Sequence, residues 1–368
     1  MKVLFIGLGN LGAQAFDMFV RVPGEHSFLV AGRNMQHLQE RTNLSVLTAM
    51  QLGLYPQVDY TYMDLWNEDQ VAEIISRFKP DLIFCAVIIW VMSISKLPKP
   101  IFERLHSAQI GPWLPMNLTL VYKLMKAVKE TGLDIKVINA SNPDSVNCVL
   151  GRVGLAPTTG IGNVANNVPA IRKSIALKLN KPLEQVEVRF FTAHYVSYRI
   201  SRYGSSGGAP FHLTALIDGK NMTHLLDMET IFDLLPTTFK RAPGNLMTAA
   251  SATAVFEGIA NDMGKITHAP GPNGLPGGYP VKVSRKGVDV LLPDDLTLEE
   301  AIRINEDSQR FDGIEKIDED GTVYFTDREM SILKETFSYE CKRMPLSEVE
   351  DRAKELQAKF AEFIKAYQ

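Results

Sequence analysis

Cysteine is scarce in this chain. Cys85, Cys148 and Cys341 are its three cysteines among 368 residues, too few for a disulfide framework and too widely spaced for a short metal-ligand pair. That usage suits a reducing compartment, so a cytoplasmic protein without a metal site is expected. Basic clusters are missing as well: the formal net charge is -3 and the sequence pI about 6.2. No stretch gathers the lysines and arginines of a nucleic-acid footprint, and no nucleic-acid partner is expected. No apolar run reaches the length of a membrane span, and the first apolar run meets a glycine loop rather than a small-residue cleavage site. The sequence therefore reads as soluble, untargeted and without a membrane partner. It also lacks internal repeats and low-complexity tracts.

What is present begins at once. In MKVLFIGLGNLG a continuous apolar run, Lys2 to Ile6, breaks at Gly7, Gly9 and Gly12, and apolar residues then recur at helical spacing from Ala13 to Val20. The pattern is strand, loop, helix. In such a unit the first glycine makes a tight turn, the second lets the backbone approach a pyrophosphate, and the third packs helix on strand. Gly7, Gly9, Asn10, Leu11 and Gly12 are thus candidate cofactor-binding residues, with the phosphates expected at the helix N-terminus.

Further strands are expected over Ser27 to Ala31, Asp81 to Ile89 and Ile135 to Asn139, and helices over Asp69 to Phe78 and Leu118 to Thr131. Alternating strands and helices predict a parallel, doubly wound Rossmann sheet over residues 1–150. Ala86, in the apolar strand DLIFCAVII, joins the cofactor set. The second strand runs into Ala31-Gly32-Arg33-Asn34, where an NAD site normally carries an acid for the ribose hydroxyls. Arg33 in its place can pair with a 2'-phosphate and Asn34 can add a hydrogen bond, so NADP is favoured, with NAD possible. Asp64 and Leu65, near the end of the third strand, suit the adenine.

Residues 151–368 change character, and an α+β domain is expected there. Val164 to Leu179 and Thr248 to Asp262 have helical patterns, and Val186 to Thr192 alternates like a half-exposed strand. Leu213 to Ile217 runs into an Asp218-Gly219 turn, as in a hairpin. The Gly- and Pro-rich stretch from His268 to Tyr279 reads as a structured loop or crossing. Two strands are expected around Lys286-Gly287, and Thr297 begins a helix. The stripe Leu346, Val349, Ala353, Leu356, Phe360, Phe363 near the C-terminus reads as a packing face.

In VINASNPDSVNCVLGRVGLAPTTGIGNVANN and EVRFFTAHYVSY the chain resembles the superfamily of lactate and malate dehydrogenases and family 4 glycosidases. The shared features are Asn142-Pro143 after a strand, the segment Gly160-Ile161-Gly162-Asn163, and a strand leading to His194. The glycine loop with AGRN also resembles the NADP domain of saccharopine-dehydrogenase-type proteins. The resemblance implies that Ser141 and Asn142 approach the nicotinamide ribose and substrate, that His194 exchanges a proton with the reacting oxygen, and that the chain forms a homodimer or homotetramer. An imidazole titrating near neutrality is also the natural partner of hydride transfer to a carbonyl.

Departures from the family pattern bear on the substrate. Where the dehydrogenases carry an Asp that orients the histidine and an Arg that clamps a carboxylate, NVANNVPAIRK places Asn166 or Asn167 and Pro169 or Ala170, with Arg172 out of register. Where the glycosidases carry a metal-binding Cys, Gly162 stands. Asn163, Trp113, Asn117 and Arg199 are candidate substrate residues, with Tyr195, Tyr198 and Arg202 beside them; without the usual acid, a backbone carbonyl or a carboxylate from elsewhere, such as Asp218 or Glu257, is the candidate to hold His194. The expected function is an NAD(P)-dependent oxidoreductase acting on a small polar carbonyl, hydroxy or imine substrate. Cofactor binding without turnover and redox-assisted glycoside cleavage are the alternatives.

Overall fold

The computed structural model describes residues 1–89, 94–228, 230–240 and 244–367. Six strands form one parallel sheet: β1 (Lys2–Ile6), β2 (Ser27–Gly32), β3 (Gln57–Tyr62), β4 (Leu82–Cys85), β5 (Lys136–Asn139) and β6 (Thr159–Gly160). Their order is β3-β2-β1-β4-β5-β6, the arrangement of a dinucleotide-binding sheet whose switch point lies beside β1. β1 pairs with a strand on each side, Phe5 opposite Val30 and Phe84, and Val3 to Phe5 are fully buried. An unbroken apolar run is what a central parallel strand covered on both faces requires.

The helices of this half are α1 (Asn10–Phe19), α2 (Met35–Met50), α3 (Glu68–Phe78), α4 (Lys99–Ser107), α5 (Leu114–Thr131) and α6 (Pro143–Arg152). The sheet continues beyond the expected boundary at residue 150, which falls inside α6, because β6 pairs with β5 at Thr159 and Gly160. β4 is shorter than the apolar run Asp81 to Ile89 suggests. Past Cys85 the chain leaves the sheet, and the Ile89 amide donates to the Met116 carbonyl at 2.9 Å.

Next come α7 (Val164–Leu179), β7 (Val186–Phe191), α8 (His194–Tyr203), β8 (His212–Ile217), β9 (Lys220–Asn221), α9 (Leu235–Phe239) and α10 (Asn245–Ala260). They are followed by β10 (Lys265–Pro270), β11 (Gly278–Ser284), β12 (Gly287–Val290), α11 (Leu298–Arg310), β13 (Ile314–Ile317), β14 (Val323–Phe325), α12 (Asp327–Phe337), β15 (Arg343–Met344) and α13 (Val349–Ile364). The expected hairpins appear as β8-β9 and β11-β12, and Thr297 caps α11 in a reciprocal box with Glu300. His268, expected in a loop, lies instead in β10, where its Nε2 accepts from the Phe190 amide at 3.2 Å.

The second half of the chain also covers the parallel sheet. On one face Phe256 of α10 stacks on Phe19 of α1 with ring centroids 4.3 Å apart, and Phe19 meets Phe5 edge-on at 5.6 Å. On the other, α13 joins the core of α3 and α5 through Val349, Ala353, Leu356 and Phe360, the packing role expected of that stripe. Each sheet face thus buries its side chains against elements from both ends of the sequence.

Candidate active site

The three glycines occupy three different surroundings. Gly7 has φ +96°, and a side-chain carbon there would lie 2.6 Å from the Ala86 carbonyl oxygen. A carbon on Gly12 would lie 1.9 Å from the Gly7 carbonyl oxygen. Gly9, the residue before α1, meets nothing within 4 Å. Turn, close packing and open approach are therefore divided among the glycines as the loop chemistry requires.

Gly7 and Gly9 open onto a groove of about 390 Å³ that is also lined by Arg33, Asn34, His37, Asp64, Leu65, Ala86 and Val87. Arg33 is exposed at its rim. Asn34 serves the structure first, because its Oδ1 accepts from the His37 amide at 3.0 Å and caps α2. Its Nδ2 is left as the group that can turn to a ligand. Asp64 Oδ1 accepts from the Trp66 amide at 3.2 Å. Asn10 and Leu11 form the first turn of α1 outside the groove lining.

The end of β5 connects this groove to a second cavity. Ser141 Oγ donates to the carbonyl of Val87, a groove residue. Asn142, at φ +40°, turns the chain into α6, and among the described residues neither polar atom of its buried side chain has a partner. Two residues on, fully buried Asp144 accepts from Asn163 Nδ2. Asn163, at φ +47°, starts α7 and lines a pocket of about 220 Å³ with Asn166, Asn167, His194, Ser197, Tyr198, Ser201, Arg202 and Thr248.

His194 opens α8 just beyond β7, and its Nδ1 donates to Asp312 Oδ1 at 2.8 Å. Asp312 Oδ2 accepts from the Tyr195 amide at 2.7 Å, and its own backbone carbonyl accepts from the Gly111 amide at 2.7 Å. Gly111 is needed for that approach, since a side-chain carbon there would lie 2.6 Å from the Asp312 oxygen. Asp312 thereby fixes the imidazole with Nε2 left for the pocket. Burial opposes a charge on His194, but the Asp312 carboxylate and then Asp144 outweigh it, and the imidazole is held above its ordinary range. Burial pushes Asp144 itself up to about 6, against the pull of His194 and Asn163.

The orienting acid thus lies far from both residues suggested for it. Asp218 sits in the β8-β9 turn at φ +49°, and Glu257 pairs with Lys265. No local signal marks Asp312, which lies 118 residues beyond His194. An acid missing from its usual register is one ground for binding without turnover, and Asp312 removes it.

Other candidate residues divide. Trp113 packs edge-on against Phe360 at 5.2 Å and near Phe337 at 5.9 Å, and Asn117 Nδ2 donates to the Trp113 carbonyl at 3.1 Å. Neither lines the groove or the pocket. Arg199 turns away, over the rings of Tyr203 and Tyr195, whereas Arg202 lies at the pocket with its guanidinium 3.6 Å from the Tyr198 ring centroid. The segment before α5 does reach the site, through a residue not singled out in the sequence: His106 of α4 has its Nε2 2.6 Å from the Tyr198 hydroxyl oxygen. Among the described residues no group of three or more metal-ligating side chains gathers, and no helix is long and apolar enough to cross a membrane.

No protein-family model and no curated protein matches the sequence. Solved structures do match by shape. The lactate dehydrogenase of Cryptosporidium parvum, complexed with lactic acid and nicotinamide adenine dinucleotide, aligns with TM-score 0.58 and 17% identity over 84% of this chain and 98% of that one. For the malate dehydrogenase of Plasmodium falciparum the values are 0.57, 15%, 84% and 94%, and for that of Aeropyrum pernix 0.55, 17%, 83% and 95%. The sheet order, the glycine turn and the extent of these alignments agree: the chain has the fold of the lactate and malate dehydrogenases.

Proposed function

We propose that the protein is a nicotinamide-dependent oxidoreductase that prefers NADP and acts on a small polar carbonyl, hydroxy or imine substrate. The observation that carries this reading is the His194–Asp312 pair, set in a polar pocket that the Ser141–Asp144 turn joins to the glycine-loop groove. The groove fits a dinucleotide on the chain's own terms: Gly9 leaves the helix N-terminus open, and Asn142, next to the Ser141 that bonds the groove residue Val87, keeps two unpartnered buried polar atoms. The cofactor supplies the hydride when bound. The protein's part is orientation and a proton. His194 Nε2 gives that proton to the oxygen or nitrogen of the substrate, and Asp312 holds the ring and stabilises its charged form.

The NADP preference rests on Arg33, which rims the groove where β2 ends without an acid. The matching lactate dehydrogenase of Cryptosporidium parvum and a matching malate dehydrogenase of Plasmodium falciparum were solved with NAD and NADH, so direct titration decides the point. NADPH is expected to bind more tightly than NADH, and Arg33→Asp should weaken NADPH by about 10- to 100-fold, the worth of a charge-assisted pair, while sparing NADH. Equal affinities in the unmodified protein remove the preference. Oxidation of NADPH in the presence of a carbonyl and imine panel tests the reaction class itself.

A further inference from the structure

The pocket beside His194 has a chemical polarity that its role in proton transfer does not explain. Asn167 is almost fully buried, and its Nδ2 donates to two backbone carbonyls, Ser197 at 2.9 Å and Asn163 at 3.3 Å. Carbonyls only accept, so these bonds fix the amide's orientation and leave Oδ1 as the free group. Among the described residues that Oδ1 has no partner. Asn166, one position earlier, places its Nδ2 2.9 Å from Thr248 Oγ1 with its buried Oδ1 unpartnered, but a hydroxyl both donates and accepts, so this amide is not oriented as Asn167 is. Across the pocket the buried Ser197 Oγ is unpartnered too.

Buried polar atoms without partners are rare in native proteins, and here three of them belong to residues lining one small pocket. One of them, Asn167 Oδ1, is an amide oxygen held inward by carbonyl partners, and it can only accept. A carboxylate brought against that wall would face further acceptors, and its own oxygens would lose water without gaining a donor. A group with N–H or O–H bonds would satisfy the wall. The carboxylates of Asp312 and Asp144, both near the imidazole, add to the same bias, while Arg202, the arginine of the pocket, is turned to Tyr198, with its guanidinium over that ring and its Nη1 donating to the Tyr198 carbonyl at 3.3 Å.

We propose that the first turn of α7 is a docking wall for hydrogen-bond donors, so that the substrate carries an ammonium or hydroxyl group that binds Asn167 Oδ1. This inference rests on the oxidoreductase reading for what happens to the substrate, but its test is a binding measurement. The wall lies where a simple oxo acid would need a cation, and it selects a substrate with amino or hydroxyl substituents next to the reacting carbon.

Serinol, glycerol and malonate share a three-carbon frame and differ in presenting ammonium with hydroxyls, hydroxyls alone, or carboxylates alone. Calorimetric titration of each into the protein with and without NADP should show serinol or glycerol binding at least about tenfold more tightly than malonate. Serinol ahead of glycerol assigns ammonium, and the reverse order assigns hydroxyl. Asn167→Leu should erase the preference. Because that change also removes two existing bonds, Ser197→Ala provides a second variant, which removes an unpartnered oxygen and breaks no hydrogen bond of that hydroxyl among the described residues. It should narrow the preference while keeping the melting temperature. Tighter malonate binding, no difference among the probes, or a preference untouched by both variants overturns the proposal. Failure of NADP to bind, with the donor preference intact, would instead count against the oxidoreductase reading alone.

Discussion

His194→Asn is expected to keep the fold and nucleotide affinity and to lower turnover by about 10²–10⁴, the worth of a positioned general acid. The pH profile carries the sharper signature. Reduction needs the protonated imidazole, so activity should fall as pH rises through the ionisation of His194, which Asp312 and Asp144 hold above the ordinary histidine range. Asp312→Asn leaves an amide oxygen to receive the Nδ1 proton but removes the charge that offsets burial. Its activity limb should therefore move to lower pH, together with a loss of rate, whereas His194→Asn should lack the limb altogether. Full turnover in His194→Asn on the true substrate would transfer the proton to another group, and Tyr198, whose hydroxyl oxygen lies 2.6 Å from His106 Nε2, would be the first to test.

Gly9→Val should abolish binding of both nicotinamide dinucleotides with little change in stability. Gly9 has φ -67° and ψ -172°, a conformation open to any residue, and a first side-chain carbon there meets no protein atom within 4 Å. The added carbons would occupy the approach to the α1 N-terminus, where phosphate must sit. Gly12→Ala is the contrasting variant. Its new carbon would lie 1.9 Å from the Gly7 carbonyl oxygen, and overpacking of this kind costs about 1–3 kcal/mol. Fluorescence titration with NADPH and a thermal melt separate the two: one variant should lose ligand and keep its melting temperature, the other should lose melting temperature. Unchanged NADPH affinity in Gly9→Val would show the loop to be structural.

Both expectations depend on residues that differ in how plainly the sequence announces them. The glycine loop is legible because its requirements are local: a strand, a tight turn and a helix succeed one another within a few residues, and each glycine answers one steric demand. His194 is legible by likeness of its setting. The acid beside it is not, because Asp312 belongs to the segment between α11 and β13 and reaches the histidine only through tertiary folding. Asn34 shows the reverse error. Its position after β2 suits a ligand, but the same position is a helix start, and capping α2 engages its oxygen. Trp113 is a candidate substrate residue by its place in the sequence, yet aromatic packing with Phe337 and Phe360 accounts for it. The pocket's acceptor wall lies between these cases: the absence of the dehydrogenases' charged pair is visible in NVANNVPAIRK, but which end of the Asn167 amide faces inward depends on carbonyls in the folded chain.

The separation of 118 residues between His194 and Asp312 also sets an order of events during synthesis. The strands of the parallel sheet are complete once Gly160 has left the ribosome, and domains begin to fold as they emerge. His194 follows soon after, but it has no carboxylate partner until the chain has grown past Asp312, whose backbone also anchors on Gly111. A long loop must close before that contact forms. The glycine loop and its helix thus leave the ribosome well before the imidazole can meet its carboxylate, and the His194–Asp312 pair is assembled only after most of the chain has been made.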